Sequence, residues 1–215
     1  MRAVLLGAAL CGACAAGGPA RVSPALEAAA GVSDAAAAAV VAQLGGTFER
    51  DASLPGSPIV KIDLHGSAIT DAQVAAFADL RELRHLDLRL TGVGDEGAAH
   101  LASLTGLTFL NLFRTKVGDA GLQSLRDLVG LETLLMGGTR LTDAGLGPLQ
   151  RFVRLKKLSL FDTQIGDAAV PSLAAVPSLA AVPSLRQLLL ARSKVTGAGL
   201  EALRRALPAL GFSEG

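Results

Sequence analysis

The side chains best suited to nucleophilic or metal-ligating chemistry are two cysteines, Cys11 and Cys14, and three histidines, His65, His85 and His100. Cys11-x-x-Cys14 has the spacing of a redox dithiol or half a zinc site. It lies in a hydrophobic leader, however, with no histidine or second cysteine pair nearby, so neither chemistry is expected. The histidines are scattered. No serine motif, phosphate-binding glycine loop or metal-spaced cluster accompanies them. His65 and His85 fall on outward strand positions and His100 on a helix, each expected to be a solvated polar residue. The sequence therefore predicts no catalytic residue, no metal and no cofactor.

The leader MRAVLLGAALCGACAAGGPA has one early charge, Arg2, then an apolar run from Ala3 to Ala13, then small residues. That is the layout of an export signal, with Ala13-Cys14-Ala15 as a small-x-small cleavage site. Gly12-Ala13-Cys14 also offers a lipoprotein reading, although Cys11 holds the expected aliphatic position and Leu10 sits one place too far upstream. Both readings stay open, as does an uncleaved anchor, for which so many Gly and Ala residues make a poor spanning helix. The expected setting is periplasmic, envelope-attached or extracellular, with membrane attachment only through this segment.

Beyond the leader there is no cysteine, so packing alone must hold the domain. Half of the 215 residues are apolar, with no Trp, no Tyr and seven Phe, so Leu, Ala and Val carry the mass. Twenty Lys and Arg against 19 Asp and Glu give no general reason to bind nucleic acid or an anionic surface.

Repetition supplies the organisation. Stepping 24 residues from Ile62 reaches Leu86, Leu110, Leu134 and Leu158. Two places on come Leu64, Leu88, Leu112, Met136 and Leu160; seven on, Ile69, Val93, Val117, Leu141 and Ile165; fifteen on, Phe77, Leu101, Leu125, Leu149 and Leu173. A sixth unit starts at Leu188, 30 residues beyond Leu158, because PSLAAV occurs twice in tandem at Pro171–Val176 and Pro177–Val182. Within a unit, LRHLDLRLT alternates like a strand, with Leu86 and Leu88 inward. GDEGAAHLASL has helical spacing. Thr70, Thr142 and Thr196 are expected helix N-caps, and Asp71, Asp95, Asp119, Asp143 and Asp167 follow at the positive end of each helix dipole. Strands stack about 4.8 Å apart and helices about 8–10 Å, so the array must curve with its strands inside.

The pattern LxxLxLxxTxVxDAGLxxLxxL, clearest in LTFLNLFRTKVGDAGLQSLRDL, resembles the leucine-rich-repeat family, and within it the 24-residue Thr-type repeats of exported bacterial proteins. The resemblance covers about residues 58–210 and implies an α/β horseshoe solenoid, with a parallel sheet on the concave face and short helices on the convex one. The family's Asn, which hydrogen-bonds the next turn's backbone, is replaced here by Ser67, Thr91, Thr115, Thr139, Thr163 and Ser193. A hydroxyl can make a similar but weaker bond.

The expected layout is a leader over 1–20, a helical cap and linker over 21–58, about six repeats over 59–207, and a C-terminal cap over 208–215. Within the caps, a helix is expected over Ser33–Leu44, an edge strand at GTFERD, and a closing strand near Phe212, which is 24 beyond Leu188.

Outward strand positions form the concave sheet, which the resemblance implies is a ligand-binding surface. Phe109, Phe113 and Phe161 lie there, with Leu90, Leu135 and Leu189. Outward positions do not need apolar residues, and aromatic anchors inside a polar rim suit a protein interface. Asp87, Arg89, Asn111 and Arg114 are the expected rim. The alternative is that these side chains merely pack across the sheet. A basic edge of Arg114, Lys116, Arg140, Arg192 and Lys194 reads as a solvated face, with the Asp column close by in sequence expected to neutralise it and contact with anionic envelope polymers as the alternative. The expected function is a monomeric, extracytoplasmic module binding a protein partner, without catalysis and without nucleic acid. A structural envelope component lacking a discrete ligand is the alternative. An F-box-type ubiquitin-ligase arm fits poorly, since little chain precedes Ile59 to hold an F-box.

The intact register on both sides of the duplication predicts that it bulges from the helix side and leaves the sheet continuous. Deleting Pro177–Val182 should leave a folded protein of similar stability, since doubling a loop costs only about 0.6 kcal/mol. Thermal unfolding checks this, and a collapsed transition would place the extra copy in the core.

Overall fold

A computed structural model describes residues 32–175, 187–207 and 212–213. One eight-stranded sheet runs in chain order: β1 (Thr47–Arg50), β2 (Ile59–Asp63), β3 (His85–Asp87), β4 (Phe109–Asn111), β5 (Thr133–Leu135), β6 (Lys157–Ser159), β7 (Gln187–Leu189) and β8 (Phe212–Ser213). β1 is antiparallel to β2, and every later pair is parallel. Ile62, Leu86, Leu110, Leu134, Leu158, Leu188 and Phe212 are partners in successive pairs, 24 residues apart except for the 30-residue step from Leu158 to Leu188. The sheet passes unbroken from β6 to β7 across the duplication, whose second copy lies outside the described residues.

Short helices follow the strands: α2 (Asp71–Val74), α3 (Asp95–His100), α4 (Asp119–Ser124), a 3-10 stretch over Asp143–Arg151, α5 (Val170–Ala174) and α6 (Gly197–Ala206). Between strands and helices runs one continuous core of the counted apolar columns, with Leu86, Leu110, Leu134 and Leu158 fully buried. At the N-terminal end α1 (Val32–Gln43) sets Ala37 and Val41 on this core, within a residue of the expected span. Arg50 fastens the cap, donating to Asp34 Oδ2 at 3.0 Å and to the Ser57 carbonyl at 2.9 Å.

Two polar columns show how the repeats are joined. Thr91, Thr115, Thr139 and Thr163 are buried, and each hydroxyl donates to the carbonyl three residues back, at 2.6–2.8 Å. These bonds stay inside one repeat. The Asp column crosses between repeats instead. Asp71, Asp95, Asp119, Asp143 and Asp167 accept the backbone N–H of Gly94, Gly118, Thr142, Gly166 and Thr196 at 2.6–2.9 Å, each in the next repeat's helix start. The carboxylate occupies the space where a Cβ of Gly97, Gly121, Gly145 or Gly199 would lie, which explains the glycine of DAGL. Two expected caps therefore act differently. Thr142 donates its hydroxyl to Asp119 Oδ2 at 2.6 Å rather than capping its own helix. Thr196 donates likewise to Asp167, and only weakly accepts from Gly199 N at 3.4 Å.

Asp95 Oδ1 accepts from both Gly118 and Gly121, at 2.6 and 2.9 Å. Asp95→Ala should cost about 1–3 kcal/mol by leaving these donors unmet, and Asp95→Asn, which keeps an acceptor oxygen, should cost less. Urea unfolding measures both.

Candidate functional site

The concave surface is built from columns of side chains, one per repeat. The first runs Lys61, His85, Phe109, Thr133, Lys157 and Gln187 along the starts of the parallel strands. The second holds Asp63, Asp87, Asn111, Leu135, Ser159 and Leu189 at their ends. Beyond the strands come Arg89, Phe113, Gly137 and Phe161 at equivalent positions, followed by Leu90, Arg114, Gly138, Asp162 and Arg192 at the rim.

This corrects one expectation. Phe113 does not share a strand with Phe109, because β4 ends at Asn111. The Asn111 side-chain Oδ1 accepts the Phe113 N–H at 3.1 Å and turns the chain there, as Asp87 Oδ1 does for Arg89 at 3.0 Å. Asp87 and Asn111 are consequently not an exposed polar rim. They are 6% and 3% exposed and joined across repeats, Asn111 Nδ2 donating to Asp87 Oδ2 at 3.1 Å. Arg89 remains exposed, with its Nε 3.6 Å from that carboxylate.

The three phenylalanines divide into two groups. Phe109 stacks on His85 with ring centroids 3.8 Å apart and planes within 3°. His85 is thus half-buried against an aromatic face, not the freely solvated residue its position suggested. Burial, then the charge of Lys61, holds its pKa below the ordinary histidine value, with Asp87, Asp63 and Glu49 opposing. His65 is exposed and hydrogen-bonds Asp63 Oδ1 at 2.7 Å, while His100 is exposed on α3. Among the described residues no group of three or more His, Cys, Asp and Glu could hold a metal ion.

Phe113 and Phe161 follow β4 and β6, strands about 10 Å apart, yet their ring centroids lie only 6.3 Å apart. Gly137, between them, makes this possible. A Cβ there would lie 3.0 Å from Phe113 Cδ2 and 2.9 Å from the Phe161 carbonyl oxygen. Arg114 lies over the Phe113 ring at 5.4 Å and Arg192 over Phe161 at 5.7 Å. The result is a row of arginine, two rings and arginine across the sheet rim. Leu135 and Leu189 are half-buried beside it, and Leu90 is 51% exposed at the rim. Sequence reading missed His85 and Gly137; a glycine in an otherwise side-chain-bearing column was the available signal for the second.

Leu90, Arg114, Asp162 and Arg192 have φ between 54° and 59°, a left-handed conformation that usually favours glycine. The fold requires it, since Leu90, Arg114 and Asp162 each donate a backbone N–H to the next repeat, at 2.7–3.0 Å.

With this geometry in view, comparison with known proteins is informative about the fold. A family model described as Leucine Rich repeat matches residues 80–102 and 104–125. An internalin from Listeria monocytogenes is similar in structure, with a TM-score of 0.51 and 19% identity over 83% of this chain and 55% of that one. A leucine-rich-repeat protein of Leptospira interrogans is similar at a TM-score of 0.45 and 16% identity, covering 65% of this chain and 39% of that one. The ectodomain of an Arabidopsis thaliana membrane receptor kinase, solved in complex with a Casparian strip integrity factor, gives 0.48 and 17%, covering 78% and 25%. No curated protein matches the sequence. The present chain thus spans little more than half, or less, of each structure it resembles. Repeat, register and fold together give this chain the α/β solenoid fold of leucine-rich-repeat proteins, with two of its repeats matched by the family model.

Two outcomes follow. Gly137→Ala should destabilise by about 1–3 kcal/mol through overpacking and separate the two rings, visible as loss of the Phe113–Phe161 contact by NMR. Because His85 has a depressed folded-state pKa, it binds fewer protons folded than unfolded near its ordinary value. Stability from this source is full above about pH 6.5 and is lost as pH falls through that value toward the folded one. Urea unfolding across this range should show the slope, and His85→Gln should flatten it.

Proposed function

We propose that this chain is an exported, non-catalytic protein-binding module whose partner docks on the concave sheet at Phe113 and Phe161. One observation carries the reading. The ring pair is assembled over Gly137 on the solvent side of the sheet, where the core has no need of aromatic side chains. Half-buried aromatics flanked by arginines are the residue types that dominate interface energetics. Leu90 and Leu135 extend the apolar surface, and Arg89 and Arg114 supply the polar rim. His85 and Phe109 make a second, smaller contact area. Export rests on the leader over residues 1–20, with Cys14 as a lipid-attachment or cleavage position. No helix among the described residues is long and apolar enough to cross a membrane.

Phe113→Ala should weaken a crosslinked partner recovered from an envelope fraction by about 2 kcal/mol or more. Losing the ring contact should cost folding about 0.5–1.5 kcal/mol. A stability loss with capture unchanged would mean that the rings pack only against each other, and would favour a structural envelope component.

A further inference from the structure

Resting on the concave-face reading, we infer that the partner presents a short acidic protein segment that crosses the sheet rim, its carboxylates meeting Arg114, Lys116, Arg140 and Lys194 and an apolar side chain seating on the Phe113–Phe161 pair.

Backbone bonds beyond the strands hold these bases in register. Lys116, Arg140 and Lys194 donate their N–H groups to Val93, Val117 and Ile165 of the preceding repeat at 2.7–2.9 Å, and Arg114 donates to Gly137 of the next at 2.7 Å. All four side chains are exposed. None of the four forms an ion pair among the described residues, and the neighbouring Arg192, which lies over Phe161, is 3.7 Å from Asp162. On the opposite, descending side, Arg151 and Lys156 are paired with Asp127 and Glu132 at 3.1 and 2.6 Å.

The nearby Asp column does not neutralise the strip by pairing. Asp95, Asp119, Asp143 and Asp167 direct their carboxylates to backbone N–H groups and threonine hydroxyls at the helix starts. They compensate helix N-termini, and the exposed cations are what an approaching surface meets first. From Arg114 to Lys194 the strip crosses three repeat steps, roughly 15 Å, the reach of about four or five extended residues. A bare polyanion would satisfy the bases but not the aromatic pair beside them. An acidic stretch containing one apolar residue satisfies both.

The test uses the full chain and labelled ten-residue peptides read by fluorescence anisotropy. One peptide has Asp and Glu around a Leu-Phe pair, a second has Asn and Gln in place of the acids, and a third lacks the apolar pair. The first should bind, weakening as salt rises from about 50 to about 300 mM. It should bind about tenfold tighter than either of the others. Arg114→Asn with Lys116→Gln should lose about tenfold, Asn being chosen because it tolerates the positive φ at residue 114. Arg140→Gln with Lys194→Gln is the second variant should the first fail to fold. Equal binding of the neutral peptide, unchanged binding by folded variants, or no peptide binding at all would overturn the inference. So would inorganic polyphosphate displacing the peptide while binding Phe113→Ala undiminished. The concave-face reading fails separately, when Phe113→Ala leaves partner capture intact.

Discussion

Each helix start after the first in the array is held by a carboxylate belonging to the repeat before it. Asp95 Oδ1 receives two N–H groups of the next unit, and Asp119 and Asp167 each receive an N–H and a hydroxyl. Helices of six residues, as α3 and α4 are, would not persist alone in water. Anchoring their N-termini to the neighbour ties local helix formation to stacking. The bond also fixes the spacing of the convex side. The carboxylate fills the space a Cβ would take at Gly97, Gly121, Gly145 and Gly199, which accounts for the glycine of DAGL better than helix propensity does, while Ala169 holds that position where Asp143 bonds Gly166.

This arrangement changes the division of labour among the polar columns. The hydroxyl column in the turn after the strand does not bridge repeats, because Thr91, Thr115, Thr139 and Thr163 bond back to their own repeat. Lateral connection comes from the strands and the rim N–H groups on one side and from the aspartates on the other. The rim pays in backbone strain: Leu90, Arg114, Asp162 and Arg192 adopt a conformation costing about 1–2 kcal/mol each for non-glycine residues. The same geometry lifts those side chains clear of the sheet, so the strain also exposes the charged and apolar groups proposed to meet a partner.

The candidate surface is an outcome of register. Residues 24 or 48 apart in sequence become neighbours, and each column is a short list of choices unconstrained by the core. Phenylalanine at two places and glycine between them make one aromatic site out of three repeats. Histidine before phenylalanine in the first column makes a stack that shields both rings. Asp87 and Asn111 in the second column bury one another, so that part of the concave face is closed.

Sequence alone determined the repeat, its direction, the buried columns, the edge strand and the continuity of the sheet across the duplication. Period and apolar spacing dictate these, because one inward leucine every 24 residues admits one stacking register. It also located Phe113 and Phe161 on the open side. Tertiary structure alone decided that Asp87 and Asn111 are buried, that Thr142 serves the preceding aspartate, and that His85 stacks on Phe109. Each of those depends on a side-chain direction between neighbouring repeats. Column counting gives the residue its row, but whether it leans toward solvent, its own turn or the next repeat is settled by contacts 24 residues away. Gly137 makes the point most sharply. By itself it is a missing side chain, and only the two rings closing over it turn it into part of a site.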